Sequence, residues 1–267
     1  MNTNPDVSRF SIYSRTAPDK KRHDEACDIL HLLWRLDEFI KLEDVQFGEE
    51  PPDFVFRHQG SPIGAELTDL DPKCFETGGN RLRGQFNGWQ AKIERDSLPH
   101  EFDWGGFSLR ESLAAFEKRL RIKRTKASHW RDRFPERWLL MRIADGSPFG
   151  DLVAGQQDMK LEPEPGMKTD FADYFAKAIH GIYTICQAIE PFDYVLLFCK
   201  TDLATSICNL LTFPANPSNP HQLPVPSDEI LKRGESATDS FLEWRTRSTT
   251  VIEVRTGPFG GGDSAKL

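Results

Sequence analysis

Three charged residues in this chain sit where their neighbours are apolar. Asp53 follows Pro51-Pro52 and opens the run Phe54-Val55-Phe56. Glu66 interrupts a second run, after Ile63-Gly64-Ala65 and before Leu67-Thr68. Lys123 comes three residues after Leu120 and four before Ala127, on a helical stripe of apolar residues. Two carboxylates on neighbouring strands can hold a divalent cation, and they can equally be ordinary surface acids. A lysine on a core-facing stripe costs several kcal/mol if it is charged and unpaired. It survives by snorkelling along its stem or by meeting carboxylates.

The elements that would position these residues are legible. Asp53 to Arg57 reads as a strand, His58 to Pro62 as a turn, and Ile63 to Thr68 as the second arm of a hairpin. Strand alternation puts Glu66 and Thr68 on one face and Ala65 and Leu67 on the other. Residues 109 to 132 form the clearest helix, with Leu109, Leu113, Phe116, Leu120, Ala127 and Trp130 on one stripe. Lys118, Arg119, Arg121 and Arg124 fall around its polar side, with Lys126 on the flank. An earlier helix is expected from Lys21 to Ile40, carrying Glu25 on its apolar stripe near the start. An acid there also follows from the helix dipole alone.

Further along, residues 137 to 145 and 192 to 200 read as buried strands, with a helix over 170 to 189 between them. A helix near Phe241 and a strand over 249 to 255 finish the pattern. The fold class expected is α/β, with a mixed sheet flanked by helices. The hairpin supplies its antiparallel part and the helix-linked strands its parallel part. One domain over 21 to 256 is expected, with a long irregular insertion over 69 to 108. Residues 1 to 20 and 257 to 267 are expected to be flexible.

Composition narrows the function classes. The net charge of the 267 residues is -7, so the whole surface is not a generic polyanion binder. Yet Arg81 to Arg142 holds 15 Lys+Arg against 8 Asp+Glu, while the remainder holds 19 against 33. A basic centre in an acidic chain fits one electropositive face, and also a solvated helix of mixed charge. No apolar run approaches the roughly 18 residues of a membrane helix, and the N-terminus has no apolar signal core. The five cysteines include no CxxC and read as reduced thiols, so a cytoplasmic location is expected. There is no HExxH, no GxxxxGK[ST] loop and no GxSxG elbow.

The segments "PDF", "GAELT", "FEKRLRIKRTKASHW" and "WLLMRIAD", in that order, resemble the PD-(D/E)XK nuclease superfamily. The narrower likeness is to members whose catalytic lysine has migrated to the following helix. The resemblance covers roughly residues 21 to 200 and implies a restriction-endonuclease-like core. Asp53 matches the motif aspartate and Glu66 the (D/E). Thr68 stands where the lysine usually does, and Lys123 matches the helix-borne replacement. Glu25 matches an acid often found on the first core helix. The resemblance implies Mg²⁺ or Mn²⁺ held by Asp53, Glu66 and the Leu67 carbonyl, hard oxygen ligands suited to such ions. It implies phosphodiester hydrolysis, with Lys123 beside the attacking water and the phosphate. Arg81, Arg83, Arg124 and Lys126 are expected to contact nucleic-acid phosphates, DNA rather than RNA. The alternative reading is an inactive domain of the same fold that binds nucleic acid or protein, favoured by the net acidity and by Thr68. A homodimer is left open.

Overall fold

The computed structural model describes residues 29–30, 32–49, 51–70, 100–103, 107–130, 132–143, 149, 161–162, 171–199, 210–215, 221–246 and 249–252. The chain folds as an α/β protein around a six-stranded mixed sheet. Its strands are β1 (Glu43–Phe47), β2 (Phe54–His58), β3 (Ser61–Leu70), β6 (Glu136–Ile143), β8 (Tyr194–Cys199) and β9 (Leu210–Pro214), which lie side by side in that order. β1, β2 and β3 are antiparallel neighbours. β3, β6 and β8 run parallel, and β9 returns antiparallel at the far edge.

Among the described residues, four helices flank the sheet. α1 comprises residues 29–30 and 32–37. α2 is Leu109–Ala127, α3 is Phe171–Ala188 and α4 is Asp228–Ser236. Side-chain alternation divides the core in two. Ile63, Ala65, Trp138, Leu140, Leu196 and Phe198 pack with Ile29, Leu32, Leu33 and Leu36 of α1. Leu139, Met141, Val195 and Leu197 pack on the other face with Phe116 and Leu120 of α2 and Ile182 of α3. Consecutive residues of one strand thus serve opposite layers, as a period of two requires. Glu66 and Thr68 have the parity that faces α2.

The hairpin turn is tighter than the sequence implies. His58 pairs with Ser61 across Gln59-Gly60, and both turn residues have positive φ (51° and 79°). This is the two-residue hairpin geometry whose twist matches its flanking strands. Ser61 and Pro62 accordingly belong to β3 rather than to the turn.

Other expectations need correction. The sequence does not predict β9 (Leu210–Pro214), because its apolar stretch is short and runs into a proline-rich connector. The sequence expectation also lacks α4, although Ser227 caps its first turn by accepting the Ile230 N–H and Asp228-Glu229 follow. The helix expected near Phe241 is a short 3₁₀ segment, Asp239–Glu243. The strand expected over 249 to 255 is β11 (Thr249–Ile252), and it lies outside the main sheet. It pairs antiparallel with β4 (His100–Asp103). A third sheet joins β5 (Phe107–Ser108), β10 (Arg245–Thr246) and β7 (Leu161–Glu162). Most of the expected insertion over 69 to 108, both terminal segments and residues 21 to 28 lie outside the described residues.

Candidate functional site

Asp53 immediately precedes β2. Phe54 pairs with Ala65, so continuing the register sets Asp53 opposite Glu66. There the ladder changes character: the Leu67 N–H donates to Oδ2 of Asp53 at 2.7 Å. A side-chain carboxylate thus takes over where the antiparallel main-chain ladder stops. Gly48 N–H donates to the Asp53 carbonyl at 2.9 Å and steadies the entering chain.

Glu66 lies in the middle strand of the β2–β3–β6 trio, so its side chain is only 3% exposed. A carboxylate so placed needs a partner. Lys123 provides it from α2, with Nζ 2.6 Å from Oε1 of Glu66. The same ammonium donates to the Leu67 carbonyl at 3.0 Å. The Lys123 side chain is 12% exposed, so most of its stem is inside the protein. Lys126, one turn on and 61% exposed, holds its Nζ 3.8 Å from the same Glu66 oxygen.

The sequence explains why α2 delivers this lysine. Ser108 and Glu111 form a capping box: the Glu111 N–H donates to Ser108 Oγ at 3.1 Å, and the Ser108 N–H donates to Glu111 Oε2 at 2.7 Å. Leu109, Phe116, Leu120 and Ala127 are buried along one stripe, which fixes the rotation of the helix. Arg124 and Lys126 in the last turn complement its dipole. Beyond the helix, Trp130 lies over Gly64 of β3. A Cβ on Gly64 would come within 2.4 Å of the Trp130 ring, so only glycine lets the helix end sit this close to the sheet.

The structure therefore brings Asp53, Glu66, the Leu67 main chain and Lys123 together, with Lys126 at the rim. Arg124 is exposed on the same last turn of α2. Glu25, Arg81 and Arg83 lie outside the described residues. Thr68, at the position where a motif lysine would stand, is buried, and its hydroxyl has no hydrogen-bond partner among the described residues.

Two carboxylates and one carbonyl are hard oxygen donors, the kind that suit Mg²⁺ or Mn²⁺. In a strand, one residue's N–H and C=O point to the same edge. The Leu67 N–H reaches Asp53, so the Leu67 carbonyl is directed to the same side of β3. Asp53 and the Leu67 carbonyl thus share that edge, and the ammonium that bonds the carbonyl also bonds Glu66. Asp53, Glu66 and the Leu67 carbonyl are the residues that could hold such a cation, with water completing its coordination. Among the described residues, no group of three His, Cys, Asp or Glu side chains converges as a metal site.

Other polar clusters carried no sequence signal, because their partners are far apart along the chain. Asp193 Oδ2 accepts the Arg137 N–H at 2.8 Å and lies 3.3 Å from the Arg137 Nε. Burial pushes the Asp193 carboxyl above its ordinary value, and the Arg137 hydrogen bonds and charge oppose that only in part. At the opposite end of the strands, a cavity of about 690 Å³ is lined by His58, Ser61, Glu136 and His221. His221 Nε2 is 2.7 Å from Glu136 Oε1, and the His221 N–H donates to the Tyr194 hydroxyl at 2.8 Å. These contacts tie the segment after β9 back onto β6 and β8.

Comparison of the chain with protein-family models, with curated proteins and with solved structures gives no match.

Proposed function

We propose that this chain is a divalent-cation-dependent phosphodiesterase acting on nucleic acid, DNA rather than RNA, and a member of the PD-(D/E)XK type with its lysine on α2. One observation carries the reading. An ammonium delivered from a helix 57 residues away in sequence meets Glu66 and the Leu67 carbonyl, while Asp53 takes the N–H of the same Leu67. Counting only the main sheet and its helices, with β4 and β5 of the smaller sheets falling between β3 and α2, the order α1, β1 to β3, α2, β6 is the order that this resemblance implies, and the mixed sheet is compatible with a restriction-endonuclease-like core.

Asp53, Glu66 and the Leu67 carbonyl would hold the cation. A bound Mg²⁺ or Mn²⁺ supplies Lewis acidity and makes hydroxide accessible from water near neutral pH. Lys123 supplies three N–H donors and sits where it can orient a water or offset charge on the phosphate. Lys126 and Arg124, on the exposed last turn, are placed to contact backbone phosphates. The charge distribution supports this: α2 belongs to the segment with surplus basic residues.

The second reading is a non-catalytic module of the same fold. Thr68 favours it, since it supplies no charge at the usual lysine position. Plasmid nicking in Mg²⁺ or Mn²⁺ decides between the two. The enzyme reading expects nicking by the wild type and a loss on the order of 10²-fold or more in Asp53→Asn and Lys123→Ala. Salt-sensitive DNA binding with no cleavage supports the module. Neither binding nor cleavage removes nucleic acid as the partner.

A further inference from the structure

The Lys123 ammonium does more than neutralise a buried acid. It bonds two of the three oxygen ligands that the cation would need: Oε1 of Glu66 at 2.6 Å and the Leu67 carbonyl at 3.0 Å. A Mg²⁺ ion binds oxygens at about 2.1 Å and demands near-octahedral geometry. A cation drawn to those same oxygens would meet the positive charge of an ammonium that already lies at hydrogen-bond distance from both. We infer that Lys123 is a tethered competitor for the cation site, so that the divalent ion binds only by displacing the lysine from Glu66 and Leu67. The inference rests on the cation-site reading above and adds an order of events to it.

Three features make the displacement feasible. The lysine stem carries four rotatable bonds and the side chain is not fully sealed, being 12% exposed. Lys126 lies 3.8 Å from the same carboxylate oxygen, so Glu66 keeps one positive neighbour while Lys123 moves. The last turn of α2 carries Arg124 and Lys126 exposed to solvent, and a phosphate bound there would offer the released ammonium a new anionic partner. Cation binding and presentation of the lysine to substrate are then one event. With no cation present, the lysine keeps Glu66 paired and the site intact.

The test needs no substrate and no turnover. Mn²⁺ alone is titrated into the full chain, with free Mn²⁺ counted by electron paramagnetic resonance, and the melting temperature is followed in parallel. The variants are Lys123→Met, Lys126→Met, Asp53→Asn and Glu66→Gln. Lys123→Met removes the competitor and is expected to bind Mn²⁺ at least tenfold more tightly than wild type. Its melting temperature, lowered without metal, should rise on Mn²⁺ addition more than the wild type's does. Lys126→Met removes the same charge at longer range and should stay within about threefold of wild type, a gap consistent with the screening of an exposed charge.

If Lys123→Met binds Mn²⁺ no more tightly than wild type, competition is overturned. The cation site still stands in that case, provided Asp53→Asn and Glu66→Gln abolish binding. If Lys126→Met tightens binding as much as Lys123→Met, the effect is general electrostatics and the inference fails. If Lys123→Met stays unfolded even in millimolar Mn²⁺, the cation cannot replace the lysine, and the inference fails again. No Mn²⁺ binding by any form removes the cation-site reading along with it.

Discussion

A single buried carboxylate sets the terms at the residue scale. Glu66 is inside the protein and takes its main compensation from Lys123 at 2.6 Å. Removing one member of such a pair leaves the other charged and buried. Lys123→Met should therefore lower stability by about 3–5 kcal/mol without added metal. The double variant Lys123→Met/Glu66→Gln should recover most of that loss, since a neutral amide beside a thioether leaves no buried charge. Urea denaturation of the four members of the cycle measures the coupling, and additive losses would show that the pair does not act as a unit. Asp193 gives a second residue-scale expectation. Its carboxyl titrates above the ordinary 3.8, chiefly because it is buried. The folded state therefore binds its proton more tightly than the unfolded state does. Its contribution to stability is fullest below pH 3.8 and is lost as pH rises through the raised value. Asp193→Asn should remove that component of the slope when denaturation midpoints are compared across the acid range. An unchanged slope would mean that the Arg137 contacts cancel the burial effect.

At the scale of elements, the site depends on how closely the end of α2 sits on β3. Trp130 occupies the space that a Cβ on Gly64 would need, and the Phe134 ring lies 2.9 Å from the same point. Gly64→Ala should force the ring and the helix end outward, with a loss of about 1–3 kcal/mol as for other overpacked sites. Under the proposed function it should also reduce nicking more than stability alone explains, because Lys123 is carried two turns before Trp130. Thermal melting and a nicking assay on one preparation separate the two effects. The stripe on α2 was legible in the sequence because Leu109, Phe116, Leu120 and Ala127 recur at helical spacing, which made Lys123 conspicuous. The role of Gly64 was not legible, because glycine in a strand looks the same whether it faces water or a tryptophan 66 residues later. The hairpin was legible in existence but not in extent, since positive φ at Gln59 is a property of backbone geometry that its side chain does not announce.

Whole-molecule behaviour follows from charge placement and burial. The chain is acidic overall, at -7, while the last turn of α2 presents Arg124 and Lys126 to solvent. Under the proposed function, DNA binding should weaken steeply with salt. Lys126→Ala should reduce the log–log salt slope by about one, uniformly across DNA sequences. Filter binding or anisotropy from 50 to 200 mM salt, a range over which such contacts lose most of their affinity, measures this. A slope unaffected by Lys126→Ala would place the phosphate contacts elsewhere. In the second core layer, Cys186 is fully buried on α3 and its thiol is pushed far above the ordinary range. It should resist alkylation in the folded protein and react only on unfolding, which peptide mapping after timed iodoacetamide treatment detects. Among the described residues, no helix is long and apolar enough to cross a membrane.

The sequence by itself determined the local elements and the anomalies within them. Periods of two and 3.6 placed β2, β3, β6, β8, α2 and α3, and they marked Lys123 as a charge on a core-facing stripe and Glu66 as a carboxylate inside an apolar strand run. That reading works because hydrophobic periodicity is a short-range record of which side meets the core. Only the tertiary structure decided that the two inward charges meet each other. Periodicity does not encode a contact across 57 residues; it arises because β3 is a middle strand and α2 crosses one face of the sheet at the height of Glu66. The same holds for Arg137 with Asp193 and for His221 with Glu136, pairs that sheet order creates and that local sequence cannot announce. Burial gives such pairs their weight, since a charge removed from water must find its counter-charge wherever the fold has put it.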